Sequence, residues 1–224
     1  MAQHPDQPIL AASSTGMTGG MLYRTARFTR RNPTMVTGLT VVVIMAAMAI
    51  LASVLFTGDP KRPDPRNRFI PPSSGHWFGT DNIGRDVYTR TVYGTRVSLI
   101  VGFSVAAISM TAGAIIGSFS GYYRRADAVV MRGMDALMSI PDILLALALA
   151  ALLGGSVQNV IIALCVVQTP RAVRVVRSAV ITLREQMFVE AAHAIGVSTW
   201  RILLLHILPN TIAPLIVQGT FICA

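Results

Sequence analysis

The side chains that could do chemistry are few in this chain, and they stand apart. Histidine occurs only at positions 4, 76, 193 and 206, and these do not cluster in sequence. Cys165 and Cys223 each sit inside an apolar run, with no CxxC partner and no histidine at ligand spacing. They read as small buried hydrophobes, not as a disulfide or a metal site. There is no GxxxxGK[ST] loop, so the chain has no P-loop of its own for ATP. HExxH, GxSxG and paired carboxylates on a helix face are absent as well. The chain is expected to hold no catalytic residue, no metal and no cofactor, and any chemistry belongs to a partner.

What remains is a small set of polar groups lodged among apolar ones. Asp142 follows Pro141 in an otherwise apolar stretch, and an ionisable group inside a membrane span is a functional candidate by default. Pro141 frees a backbone carbonyl, so Ser139, Pro141 and Asp142 can together line a polar part of a pathway. Asp142 can equally pair with an arginine or a helix terminus of another subunit. Gln168 and Thr169, just before Pro170, are weaker candidates of the same kind. One helix-breaking insert is flanked by polar residues among the long apolar runs: residues 190–209, reading EAAHAIGVSTWRILLLHILP.

Composition says what must position these groups. Hydrophobic residues make up 53% of the 224 and charged residues 13%, with a mean hydropathy of +0.58. A soluble domain carries roughly a quarter charged residues. The apolar residues also arrive in blocks, which points to an all-α, polytopic transmembrane bundle. The net charge of +9 does not indicate nucleic acid, because the basic residues lie between apolar blocks and not on one aromatic-studded face.

Residues 34–56 run for 23 positions without a charge. As a helix they reach about 35 Å, enough to cross a core roughly 30 Å thick. The run is too long and begins too late for a cleaved signal peptide. Before it, residues 1–20 are expected to be a disordered tail, and residues 21–32 a basic segment on anionic lipid. After it, residues 57–96 are polar and open with Pro60, Pro63, Pro65, Pro71 and Pro72. A second uncharged run covers 97–123, where Gly113 and Gly117 form a small-xxx-small pair that lets another helix approach closely. Residues 124–135 read as a short charged loop, 136–153 as a third span interrupted at Pro141, and 157–176 as a fourth. Arg171, Arg174 and Arg177 at its end can snorkel to the interface.

The fifth run starts near Ile202, breaks at Pro209 and Asn210, and continues over the fourteen residues 211–224. Fourteen residues of helix reach about 21 Å, short of a bilayer core. The fifth span is therefore expected to be incomplete and the chain to be cut short at its C-terminus. Orientation follows from the basic residues. Twelve arginines fall on the side of the N-terminus, against seven Lys and Arg within residues 58–96, which places the N-terminus in the cytoplasm.

The insert has its own local reading. Thr182, Leu183, Arg184 and Glu185 fit a capping box, so a helix is expected to begin at Leu183. Leu183, Met187, Ala191 and Ile195 then form one apolar stripe, and Gly196 is a natural residue for φ > 0 just past the helix end. Ser198 can cap a second helix, which Pro209 must bend or restart. Ala191 and Ala192 keep the first helix slim enough to enter a groove on another protein, and Glu190 supplies a fixed charge beside them.

The spacing Glu190-Ala191-Ala192, then Gly196, then His206-x-Leu208-Pro209 resembles the EAA loop of permease subunits in bacterial ABC importers. A second motif agrees: His76-Trp77-Phe78-Gly79-Thr80-Asp81 followed by Gly84-Arg85-Asp86 resembles the outer segment of the dipeptide, oligopeptide and nickel group. The resemblance implies a type I importer permease bundle in the bacterial cytoplasmic membrane. Six spans are expected in that family, of which five are visible here. It implies a coupling loop over 182–209 within a permease domain of 97–224, and an extracytoplasmic segment of 57–96. It implies as partners a second related permease subunit, two P-loop ATPases that hold ATP and Mg, a solute-binding protein outside, and membrane lipid. Peptides are the implied cargo, with nickel or haem-type solutes as the alternative. A stand-alone secondary transporter or channel would instead show inverted repeats or several intramembrane charges. In the outer segment, Asp81 with Arg85 and Asp86 with Arg90 are i, i+4 pairs, so a short surface helix is expected there.

Overall fold

The computed structural model describes residues 33–55 and 62–223; the expected tail and basic segment, residues 1–32, lie outside the described residues. Pro33 opens helix α1, Pro33–Leu55, where its missing N–H costs nothing. Leu39, Val41, Val43, Ile44 and Ile50 are all exposed, so α1 is apolar on every side. A 23-residue helix with no polar stripe suits hydrocarbon, not water. Thr37 and Thr40 fit because their hydroxyls donate back to the carbonyls of Pro33, Thr34 and Val36. The chain divides into a unit that ends at Thr57, holding α1, and a second from Gly58 to Ala224.

In the second unit, Asp86 caps α2, Val87–Tyr122, by accepting from the Thr89 amide at 2.7 Å. The helix thus starts at Val87 and not with the uncharged run at Val97. Its 36 residues reach about 54 Å, so its first turns stand beyond a core of roughly 30 Å. The expected charged loop after it is helical: α3, Arg124–Met138, is strongly amphipathic and carries Asp127 in its first turn, where the helix dipole favours an acid. Pro141 then has no N–H with which to continue α3. A new helix, α4, Asp142–Leu153, leaves at 86° to it, so the third span is a bent pair.

Gly154, at φ +90°, ends α4, and the Ser156 hydroxyl caps α5, Val157–Arg184, by accepting from the Asn159 amide at 3.2 Å. α5 runs uninterrupted through the buried Pro170. It lies very close to α2. A Cβ added at Gly113 would come 2.5 Å from the Ala172 Cβ, and one at Gly117 2.7 Å from the Val173 carbonyl oxygen. The glycines admit Val173, Val176 and Val180, all fully buried, and dispersion between close backbones holds such a pair within lipid.

Two further helices follow: α6, Met187–Ala194, and α7, Thr199–Cys223. Val176, Val180, Val189, Ala192, Ile202, Ile207 and Leu215 form one apolar cluster that ties α5, α6 and α7 together. The expected break at Pro209 is absent. α7 widens instead into a π segment, Ile202–Ile207, in which the Leu208 amide donates to the Leu203 carbonyl five residues back. Pro209 cannot donate to the Leu205 carbonyl and its ring crowds it, so the bonds upstream lengthen by one residue and the helix survives. The result is one helix of 25 residues, not a run that restarts at Thr211. Among the described residues four helices are long and apolar enough to cross a membrane, or five with the bent pair counted as one span. Among the described residues β structure is limited to an isolated bridge between Thr80 and Asp86.

Candidate functional site

The candidate coupling surface begins where α5 stops. The expected helix start at Leu183 does not form. The Thr182 hydroxyl donates to the Ser178 carbonyl inside α5 at 3.1 Å instead of capping, and Leu183 packs on the core cluster. The chain turns at Glu185 and Gln186, and α6 starts at Met187. Val189 and Ala192, three residues apart on one face, are buried. Glu190 and Ala191 point outward with Met187, 84% exposed, and Ile195, 81% exposed. The His193 Nε2 lies 2.9 Å from the Tyr122 hydroxyl, which fastens α6 to the end of α2.

Gly196 ends the helix with φ +79°. Its amide donates to the His193 carbonyl, and the Val197 amide to the Ala192 carbonyl, each at 3.0 Å. This pair of bonds satisfies carbonyls that a helix end otherwise leaves open, and Val197 closes it on the core. Ser198 stands at the start of α7 but lends its carbonyl, not its hydroxyl, to the Ile202 amide. His206 lies in the π segment, with its Nδ1 buried and lacking a hydrogen-bond partner among the described residues. Leu208 and Pro209 close that segment. The residues expected to couple therefore fall into three parts: an exposed pair, Glu190 and Ala191; an anchor and turn, Ala192 and Gly196; and the residues that shape α7.

At the bend between α3 and α4 the polar groups are already engaged. Asp142 is paired with Arg171, and Asp135 with Arg174 at 2.5 Å. Asp127 takes two bonds from Arg177, that from Nη2 at 2.6 Å. The three arginines expected to reach the interface each engage an aspartate of the neighbouring bent pair. The signal was present: three arginines at intervals of three on one helix, and three aspartates on the neighbouring stretch. The Ser139 hydroxyl bonds the Ala136 carbonyl of its own helix at 2.7 Å. Gln168 is elsewhere. With Ser98, Gly102 and Cys223 it lines a cavity of about 660 Å³ between α2, α5 and the end of α7. The four pathway candidates thus occupy two places, with Ser139, Pro141 and Asp142 at the bend.

The segment before α2 is a loop, not the short helix its charge spacing suggests. Gly79 and Gly84 take φ of +71° and +81°, which folds the chain back on itself. A Cβ at Gly84 would run into the Asp64 carbonyl. Asp81 is the hub: its oxygens accept from the amides of Ile83 and Arg85 at 3.0 and 2.9 Å, and from Arg85 Nε and Arg90 Nη1 at 2.8 and 2.7 Å. Arg90 therefore pairs with Asp81 and not with Asp86, which is occupied as the cap of α2 and lies 3.1 Å from His76 Nδ1. Removal from water would by itself raise the Asp81 pKa, but the bonds from Arg85 and Ile83 outweigh it and hold the carboxyl well below the ordinary range. Asp86 is likewise lowered: burial would raise it, but the bonds from Thr89 and His76 prevail. The buried Thr80 accepts from the Ile70 amide at 2.8 Å and donates to the Asn67 carbonyl at 2.5 Å, pinning the proline-rich stretch. Trp77 and Phe78 stack on Tyr88, each with ring centres 5.1 Å away.

Residues 87–221 match the family described as binding-protein-dependent transport system inner membrane component. Residues 22–72 match the N-terminal TM domain of oligopeptide transport permease C. The chain is 46% identical over 200 residues to a protein of Brucella abortus provisionally named a peptide transport system permease protein, covering 89% of this chain and 68% of that one. It is 44% identical over 192 residues to the dipeptide transport system permease protein DppC of Alkalihalophilus pseudofirmus, covering 85% and 63%. It is 35% identical over 193 residues to the glutathione transport system permease protein GsiD of Pectobacterium atrosepticum, covering 85% and 64%. The chain spans about two thirds of the length of these relatives.

Proposed function

The chain belongs to the family of binding-protein-dependent transport system inner membrane components, and from that we infer that it is the permease subunit through which an ATP-driven importer moves peptides. It is a multi-pass protein of the inner membrane and part of an ABC transporter complex, and it is not itself an enzyme. One observation carries the coupling role: the division of α6 into a buried face, Val189 and Ala192, and an exposed apolar face around Glu190. A helix that merely closed a loop would gain nothing from exposing Met187 and Ile195 to water. As the surface that receives an ATPase, it presents anchors to a groove while its back is fixed to α5 and α7.

The partners follow from this reading. Two P-loop ATPases bind ATP and Mg and dock on α6 and its equivalent in a second, related permease subunit. A solute-binding protein delivers cargo to the side of the Asp81 loop. The preponderance of arginine on the α6 side favours a cytoplasmic N-terminus and an extracytoplasmic loop before α2. Closure of the ATPases would rock the spans between inward-open and outward-open states. Gln168, at the cavity between α2, α5 and α7, is the group best placed to face the pathway.

The test is co-purification followed by uptake. Tagged protein drawn from membranes with its operon partners should bring down ATPase subunits and support ATP-dependent uptake of a dipeptide in proteoliposomes. Gly196→Pro should abolish that uptake, because proline cannot take φ +79° and loses the bond to the His193 carbonyl. If no ATPase comes down, or Gly196→Pro transports normally, the coupling role is lost. Uptake of a nickel chelate or haem in place of the dipeptide would overturn the cargo.

A further inference from the structure

Four arginines of α5 grip the end of α2 and both helices of the bent pair. Arg184 donates to the Gly121 and Tyr122 carbonyls at the end of α2, at 3.0 and 3.5 Å. Arg177 holds Asp127 in the first turn of α3, with Nη2 to Oδ2 at 2.6 Å. Arg174 holds Asp135 in the last turns of α3 at 2.5 Å. Arg171 holds Asp142, the first residue of α4, on the far side of the Pro141 bend. Intervals of three residues keep Arg171, Arg174 and Arg177 on one flank of α5, each step drifting by about 60°.

Neither α3 nor α4 contains a fully buried residue. Half-buried side chains such as Met134 and Leu137 face α5, and the ion pairs add fixed points to that looser packing. The Arg177–Asp127 pair is part-buried, and an arginine left there without its aspartate is costly, which keeps that pair closed. The pairs of Arg174 and Arg171 are more exposed and extend the same row. α5 is also the helix that leads, after Glu185 and Gln186, directly into α6.

We propose that this seam is the transmission of the importer. Arg171, Arg174 and Arg177 are positioning residues that make the bent α3–α4 pair travel with α5 when α6 is pulled. Asp142 is a strut of the bend, and its carboxylate does not hold cargo. The inference rests on the reading of α6 as the ATPase-docking surface.

The experiment uses the complete reconstituted transporter and measures peptide imported per ATP hydrolysed. Arg174→Asp and Asp135→Arg are each expected to lower that ratio about tenfold while ATPase stays docked and active, and the double exchange to restore it to within about twofold. Asp142→Asn is expected to lower the ratio with the KM for peptide unchanged. Single reversals that leave the ratio intact, a double exchange as poor as the singles, or a raised KM in Asp142→Asn would each overturn the proposal. Where a single reversal fails to accumulate in membranes, the double exchange decides alone: accumulation with near-normal transport supports the seam, and failure to accumulate or transport overturns it. A wild-type complex without ATPase sinks the docking reading itself. Docked, hydrolysing variants with an unchanged ratio sink only the seam.

Discussion

Replacing Gly117 by valine drives a wedge into the close contact between α2 and α5. The first atom added, the Cβ, would lie 2.7 Å from the Val173 carbonyl oxygen and 2.8 Å from the Val176 Cβ. Carbon atoms rest at about 3.5–4.0 Å, so α2 and α5 must part by roughly 0.7–1 Å. Val173 and Val176 are fully buried and have no free space to yield. Overpacking of this kind costs about 1–3 kcal/mol, and the two further methyl groups of valine put it at the upper end. The better helix propensity of valine over glycine returns only about 0.4 kcal/mol. A net loss of about 2–3 kcal/mol in a chain of this size lowers the melting temperature by about 4–12 °C. Gly133→Val on α3 is the matched control, because nothing lies within 4 Å of a Cβ there, and its effect should stay within about 0.5 kcal/mol. Thermal unfolding in detergent, followed by fluorescence and size-exclusion, reads both. If Gly117→Val melts within 2 °C of wild type, or Gly133→Val falls as far, the close-packed seam between α2 and α5 is refuted.

The other predictions concern the two ends of the bundle. Met187→Asp with Ile195→Asp changes side chains that touch little, so the melting temperature should move by no more than about 0.5 kcal/mol equivalent, while pull-down of ATPase falls at least tenfold on the scale of interface anchors. Normal pull-down would remove α6 as the docking surface. Tyr122→Phe deletes the bond to His193 and should cost about 0.5–1.5 kcal/mol, seen as a small fall in melting temperature and as faster amide exchange in α6 but not in α2. In the loop before α2 the Asp81 carboxyl is depressed in the folded state, so its stabilising contribution is present in full above the unfolded value of 3.8 and is lost as pH falls through the lower folded value. Limited proteolysis within residues 64–86 should therefore be flat from pH 7 to pH 5 in the wild type. In Asp81→Asn cleavage should be faster throughout that range, and a wild-type loop that opens near pH 6 would contradict the assignment.

Much of the bundle was legible because burial in lipid writes itself as uncharged length. The runs at 34–56, 97–123 and 157–176 each became a helix, and the Gly113 and Gly117 pair marked a contact that α5 fills. The failures share one cause: local rules were applied to groups that a distant part of the chain had already engaged. The spacing of Asp86 and Arg90 suits a helical ion pair, yet Arg90 reaches Asp81, because two glycines with φ > 0 bring that carboxylate over the start of α2. Thr182 to Glu185 has the composition of a capping box, yet Leu183 is held in α5 by the core cluster, and the helix cannot restart there. Residues 124–135 looked like a charged loop because their charges were counted without partners. With Asp127 and Asp135 taken by Arg177 and Arg174, the same residues form an amphipathic helix.

Proline makes the point most sharply, since one residue type meets three outcomes in three helices. Each removes an amide donor and crowds the carbonyl four residues back. At Pro141 nothing buried holds the chain on either side, and the helix turns by 86°. At Pro170 the ring is itself buried in the close contact with α2, the Thr169 hydroxyl bonds the Cys165 carbonyl at 2.7 Å, and α5 continues. At Pro209 the upstream residues Ile202 and Ile207 are locked in the core, so the helix can neither turn nor stop, and it takes up the mismatch as a π segment. Sequence shows where a donor is missing, but the surrounding packing decides whether that becomes a bend, a straight passage or a widened turn. The consequence for function is a division of labour. The bend at Pro141 lies between two helices without a fully buried residue, while the π segment at Pro209 lies where α7 is clamped beside α6. If α6 is the docking surface proposed above, a pull on it is expected to meet a rigid mount at Pro209 and a more yielding joint at Pro141.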